Sequence, residues 1–142
     1  MKKKLRIAVW SIGKHAEKNI LPSLKDHSEI ELVGIYSRNK IKVSKSKKKY
    51  GCRSWNSYQE MLSDPNIDII YASGPINSHY SCGLKVLKSN KHFWCEKPFT
   101  ENLKESATLV RLSKEKELTV AEGLMYYYHP QFIWLKDLSL IH

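Results

Sequence analysis

Short apolar blocks alternate with longer stretches of helical period along almost the whole chain. The first block, LRIAVW at 5–10, is apolar on both faces, as a strand buried in the middle of a sheet requires. The segment 14–26 reads as a helix with Ala16, Ile20 and Leu24 on one stripe, and Pro22 inside it predicts a kink or break. A second strand is expected at 30–37, then a helix at 39–51 that touches the core through Ile41 and Val43 and stops at Gly51. A short helix at 57–65 closes on Asp64-Pro65. Further strands are expected at 67–73, 91–95 and 118–123. The helices between them are 77–90, with Tyr80, Leu84 and Leu87 on one face, and 102–117, with Leu103, Ala107, Val110 and Lys114 tracking its period.

This β-α-β-α order, without a hairpin signal, predicts an α/β fold, a doubly wound parallel sheet of Rossmann type with helices on both faces. Ligands of such sheets sit at the carboxyl ends of the strands. With 142 residues, the chain has a one-domain length. Neither a repeat nor a low-complexity linker interrupts it.

Composition narrows the class. Three cysteines, Cys52, Cys82 and Cys95, without CxxC spacing, argue against a disulfide framework and against a zinc site, and suit a reducing, cytoplasmic setting. The basic start MKKKLRIAVW has too short an apolar run for a signal peptide, and nothing in the sequence is long enough to span a membrane. The net charge of +10 suits an anionic partner or a lysine-rich surface. The lysine run at 44–49 has no interleaved aromatic residues, so it reads as a solvated helix face, and a nucleic-acid partner is not expected.

The turn WSIGKHA after the first strand places Ser11, Gly13 and Ala16 where a dinucleotide fingerprint has its three glycine-type positions. Gly13 would let backbone approach a pyrophosphate, and Ala16 permits close helix–strand packing. Ser11 departs from the glycine that the tight turn calls for. Ser11, Ile12, Gly13, Lys14 and His15 are the candidates at this phosphate-binding helix start. The second strand ends in Tyr36-Ser37-Arg38-Asn39, without the carboxylate that accepts from the ribose 2′-hydroxyl in NAD enzymes. Ser37 and Arg38 suit a 2′-phosphate instead, with Lys42 one turn on, so NADP(H) is favoured over NAD(H).

Three further motifs carry a family resemblance. They are CEKP at 95–98, SGPINSHY at 73–80 with Pro75 four residues before His79, and EGLMYYYHPQ at 122–131. With them the chain, from about Leu5 to Gln131, resembles the Rossmann domain of the glucose–fructose oxidoreductase, inositol dehydrogenase and MocA (Gfo/Idh/MocA) family. The resemblance implies an NADP(H)-dependent oxidoreductase acting on a sugar-like or polyol alcohol or ketone. It implies that Lys97 meets the reacting oxygen, that Glu96 lies near the nicotinamide ribose and that Pro98 stiffens the turn. Ser73, Gly74, Pro75, Asn77 and His79 would lie beside the cofactor, with Asn77 or Ser78 capping the helix. Tyr126 and His129 would face the substrate. No metal is implied.

The family's enzymes continue into a C-terminal α+β substrate domain, which is expected to be absent here, so 1–123 reads as the cofactor domain and 124–142 as a linker and the start of that second domain. Phe132, Ile133, Trp134 and Leu135 would then be exposed. Homo-oligomerisation is left open. The alternative is a non-catalytic nucleotide-binding module or a truncated remnant of such an enzyme.

Overall fold

A computed structural model describes residues 3–139. Six strands, β1 (Leu5–Trp10), β2 (Ile30–Tyr36), β3 (Arg53–Ser54), β4 (Ile69–Ala72), β5 (His92–Cys95) and β6 (Val120–Glu122), form one sheet. Every pairing is parallel and the order is β3-β2-β1-β4-β5-β6, the doubly wound arrangement the sequence pattern predicts. The helices are α1 (Leu21–Asp26), α2 (Lys40–Tyr50), α3 (Tyr58–Ser63), α4 (His79–Lys88), α5 (Leu103–Glu115) and α6 (Pro130–Ser139). Among the described residues no helix is long and apolar enough to cross a membrane, and no group of three or more side chains could hold a metal ion.

The apolar blocks bury both faces because the pleat divides them. Ala8, Ile70, Ala72, Phe93 and Cys95 join one core with Met61, Val86, Leu87 and Leu109. Ile7, Val9, Ile35 and Tyr71 join the other with Ala16, Leu21, Leu24 and Val43. Gly83 lets α4 lie close on this framework, since a Cβ there would stand 2.8 Å from the Phe93 ring and 2.9 Å from Leu109.

Four local expectations are corrected. Pro22 does not break its helix: a π-helical turn, Ala16–Ile20, precedes it, and the Leu21 N–H donates to the Ala16 carbonyl. The wide turn absorbs the missing proline donor. On α2, Ile41 is exposed, and Val43, Ser46 and Tyr50 turn inward. On α5, Leu103 and Val110 face solvent, whereas Leu109 and Ser113 are buried, because the helix lies on its 106–109–113 face. The edge strand β3 is two residues of polar sequence and has no periodic signal at all.

Candidate functional site

The switch point of the sheet lies between β1 and β4, where successive connections run to opposite sides. Loops after β1, β2, β4 and β5 meet at the carboxyl ends there. The first of them solves the problem posed by Ser11. This residue holds φ at 74°, the left-handed conformation a glycine would take at no cost. Its N–H donates to the Tyr36 carbonyl at 2.7 Å, and its carbonyl accepts from the Ser73 hydroxyl at 2.8 Å. These two bonds hold the strained turn. Gly13 follows beside the β4 loop, where an added Cβ would stand 3.4 Å from the Ser73 carbonyl. Room for a methyl group exists, so the fold does not demand glycine at this position; a ligand approaching the backbone would.

Helical backbone begins at Lys14, and Ala16 is fully buried against the sheet. Lys42 is not free for a phosphate. Its ammonium donates to the Ile12 carbonyl at 3.2 Å and pairs with Glu17 at 3.3 Å, so it pins the turn from α2. Asn39, not predicted as a cap, accepts from the Lys42 N–H at 3.0 Å and starts α2, a device worth about 1 kcal/mol.

A cleft of ≈ 350 Å³ opens beside this turn, lined by Trp10, Ser11, Tyr36, Arg38, Tyr58, Gly74, Pro75, Ser78 and Lys85, among others. Trp10 stacks on Tyr58 at 5.2 Å, with Tyr36 edge-on at 6.0 Å, and the Lys85 ammonium sits 4.8 Å from the Tyr58 ring centre. The lining carries two cations and no carboxylate. Ser37 is buried, and its hydroxyl accepts from the Asn39 N–H at 3.3 Å. Arg38 is exposed.

A larger cleft, ≈ 590 Å³, opens at the opposite, amino ends of the strands around Arg6, Lys47 and Arg53. Its guanidinium groups are already spent: Arg6 grips Asp68 at 2.7 Å, and Arg53 meets Asp64 at 3.1 Å. Volume therefore misleads here, and the smaller cleft is the better candidate for an anionic ligand.

The SGPINSHY loop adds a brace. His79 is 1% exposed, with Nδ1 2.8 Å from the Pro98 carbonyl and Nε2 2.9 Å from the Gly74 carbonyl. It is a buried histidine, and both ring nitrogens face backbone carbonyls. It ties the loop after β4 to the loop after β5. Neither Asn77 nor Ser78 caps α4: a 3₁₀ turn, Ile76–Ser78, leads in, the Ser78 hydroxyl donates back to Pro75, and Asn77 is exposed. Gly74 is required there, because a Cβ would lie 2.6 Å from the Ser78 hydroxyl oxygen.

The loop after β5 carries Glu96, Lys97 and a cis Lys97–Pro98 peptide bond. The Glu96 carboxylate accepts a hydrogen bond from the Tyr71 hydroxyl and lies 3.4 Å from Nε2 of His15. Burial, together with the Glu96 carboxylate, pushes the Tyr71 phenol well above its ordinary value, so it remains a donor. Tyr71 did not stand out in the sequence. A tyrosine in an apolar strand reads as core, and only the β4–β5 pairing reveals where its hydroxyl ends. Lys97 is exposed and makes no hydrogen bond or ion pair with any described residue. Beneath this loop the Glu122 carboxylate accepts from the Phe99 N–H at 2.8 Å, and burial pushes the Cys95 thiol up to about 12.

Tyr126 and His129 do not line this cleft. They line a shallow groove of ≈ 370 Å³ with Met125, Phe132 and Leu135. Phe132, expected to be exposed, is half-buried between the rings of Tyr126 at 5.1 Å and Tyr127 at 5.4 Å. Ile133, Trp134 and Leu135 are exposed as expected.

Comparison with known proteins agrees with the fold. Residues 5–124 match the Gfo/Idh/MocA family, described as an oxidoreductase family with an NAD-binding Rossmann fold. A dTDP-3,4-didehydro-2,6-dideoxy-alpha-D-glucose 3-reductase of Saccharopolyspora spinosa is 31% identical over 138 residues, 97% of this chain and 42% of that protein. A D-xylose 1-dehydrogenase (NADP(+)) of Hypocrea jecorina is 32% identical over 89 residues, 63% of this chain and 23% of that protein. Among solved structures, KijD10, a 3-ketoreductase from Actinomadura kijaniata in complex with NADP and TDP-benzene, superposes with a TM-score of 0.91 at 24% identity. That match covers 96% of this chain and 42% of KijD10 and bears on the fold alone. The chain thus spans about two-fifths of the length of these reductases.

Proposed function

The chain belongs to the Gfo/Idh/MocA oxidoreductase family, with its NAD-binding Rossmann fold, and on that premise we propose that it is the NADP(H)-binding part of an enzyme reducing or oxidising a sugar-like carbon. The carrying observation is the cleft at the carboxyl ends of β1, β2 and β4, with Arg38 at its rim and no carboxylate in its lining. A ribose 2′-hydroxyl would find no acidic acceptor there, whereas a 2′-phosphate would find a guanidinium and the Ser37 hydroxyl. The Ser11–His15 turn, with its open Gly13 backbone, suits the pyrophosphate. Gly74, Pro75 and Ser78 wall the other side, Ser73 and Asn77 would approach the cofactor from the same loop, and His79 braces that wall.

When bound, a nicotinamide dinucleotide supplies or accepts the hydride. The protein's part falls to Lys97, an unpaired ammonium beside the partly buried Glu96. It would stabilise negative charge developing on the substrate oxygen and exchange a proton with it. Tyr126 and His129 would contact the substrate from the segment after β6. The 3-ketoreductases among the relatives act on sugar nucleotides, which supports a sugar-like substrate. We set the end of the cofactor domain at residue 123, supported by the last strand ending at Glu122 and the family match ending at 124.

Calorimetric titration with NADPH and with NADH tests this reading. Tighter NADPH binding, with the preference lost in Arg38→Ala, is expected. Equal or tighter NADH binding would overturn the NADP(H) assignment.

A further inference from the structure

Two side chains from separate elements converge on the Glu96 carboxylate. Tyr71 rises from β4, His15 stands at the start of the first helix, and Glu96 follows β5. The Tyr71 side chain is fully buried, its ring 4.6 Å from that of Trp94, and its hydroxyl has Glu96 as its partner. Nε2 of His15 is shielded from solvent and makes no hydrogen bond; it faces Glu96 as the nearest acidic group. The other ring nitrogen, Nδ1, is 2.9 Å from the Asn19 amide. Gly123 completes the enclosure, since a Cβ there would stand 3.5 Å from the Glu96 oxygen.

We propose that Tyr71 is a positioning residue for the nucleotide site, acting through Glu96. Resting on the NADP(H) reading above, this assigns a task to a side chain that otherwise looks like core. The physical need is clear. A carboxylate beside a bound dinucleotide repels its phosphates unless it is held away from them. The Tyr71 hydroxyl, a permanent donor, holds it to one side, and Nε2 of His15 lies 3.4 Å from it. Because Glu96 adjoins Lys97, the same bond fixes the loop that presents the ammonium. Strand β4, the turn after β1 and the loop after β5 thereby meet at one carboxylate.

A double-mutant cycle on NADPH affinity tests the proposal. Tyr71→Phe keeps the ring against Trp94 and removes only the hydroxyl. It is expected to weaken NADPH binding about fivefold in the native background, as loss of a charge-assisted hydrogen bond does, and less than about twofold in a Glu96→Gln background. The emission of bound NADPH, a report on the surroundings of the nicotinamide, should change in both single variants. Equal losses in the two backgrounds, or no loss in the first, would overturn the proposal and leave the NADP(H) reading intact. Failure of the native chain to bind NADPH would overturn both. If Tyr71→Phe does not fold, Glu96→Gln alone decides: unchanged affinity and unchanged emission would overturn the proposal.

Discussion

The two ends of the sheet treat charge in opposite ways. At the amino ends, cations are bound to the protein itself. Arg6 holds Asp68 with two side-chain nitrogens, Arg53 meets Asp64, and the buried Lys91 ammonium donates to the carbonyls of Asp64 and Ile67. At the carboxyl ends, Lys14, Arg38 and Lys97 stand exposed without a charged partner among the described residues. Arg6, Arg53 and Lys91 are engaged within the fold, whereas Lys14, Arg38 and Lys97 face solvent, and the larger cleft lies at the first end.

The contrast yields its largest test at Lys91. Replacing it with methionine leaves the buried Ile67 carbonyl unpaired and takes one of two donors from the Asp64 carbonyl. A loss of about 2 kcal/mol of stability in urea unfolding is expected, with NADPH affinity unchanged. A nucleotide-binding defect in that variant would break the division between the ends.

Asp68 gives the next effect. Hydrogen bonding to Arg6 holds its carboxyl at about 2, below the ordinary 3.8. A depressed folded value means that the stabilisation is present above the unfolded value and is lost as pH falls through the folded one. Asp68→Asn should therefore cost about 1 kcal/mol at neutral pH, after screening of a solvent-accessible pair. The gap to the native chain should close between about pH 4 and pH 2 in acid titrations of stability.

At the carboxyl end, Ser11→Gly should raise stability by about 0.5–1 kcal/mol, because the left-handed backbone no longer opposes a Cβ. Thermal unfolding would show it, and destabilisation would mean that the Ser11 side chain carries the turn. The smallest stability effects are expected at the exposed cations assigned to the proposed site. Arg38→Ala and Lys97→Ala should each change unfolding free energy by less than about 0.5 kcal/mol. A larger loss would place them among the structural charges.

Apolar blocks revealed the strands because a parallel sheet is covered on both faces, and five of the six stand out for that reason. Strand β3 stayed hidden because two polar residues on an edge bury too little to leave a pattern. The stripe of α5 was misread because its buried face uses Ser113 and half-buried Ser106, which hydropathy does not mark. In the site, Gly13 stood out by its place after the first strand, whereas the Glu96-Lys97-Pro98 turn stood out only through the family resemblance of CEKP. The engagement of Lys42, the burial of His79 and the reach of Tyr71 were not legible. Each depends on a partner 19 to 30 residues away, which only the assembled sheet brings near.

The most direct measurement of the central claim is an amide chemical-shift map of the isotope-labelled chain titrated with NADPH. Perturbations should concentrate at 11–15, 37–38, 73–79 and 96–98, leaving Arg6, Asp64, Asp68 and Lys91 unmoved. Shifts centred instead on the amino-end cleft around Arg6 and Arg53 would contradict the account.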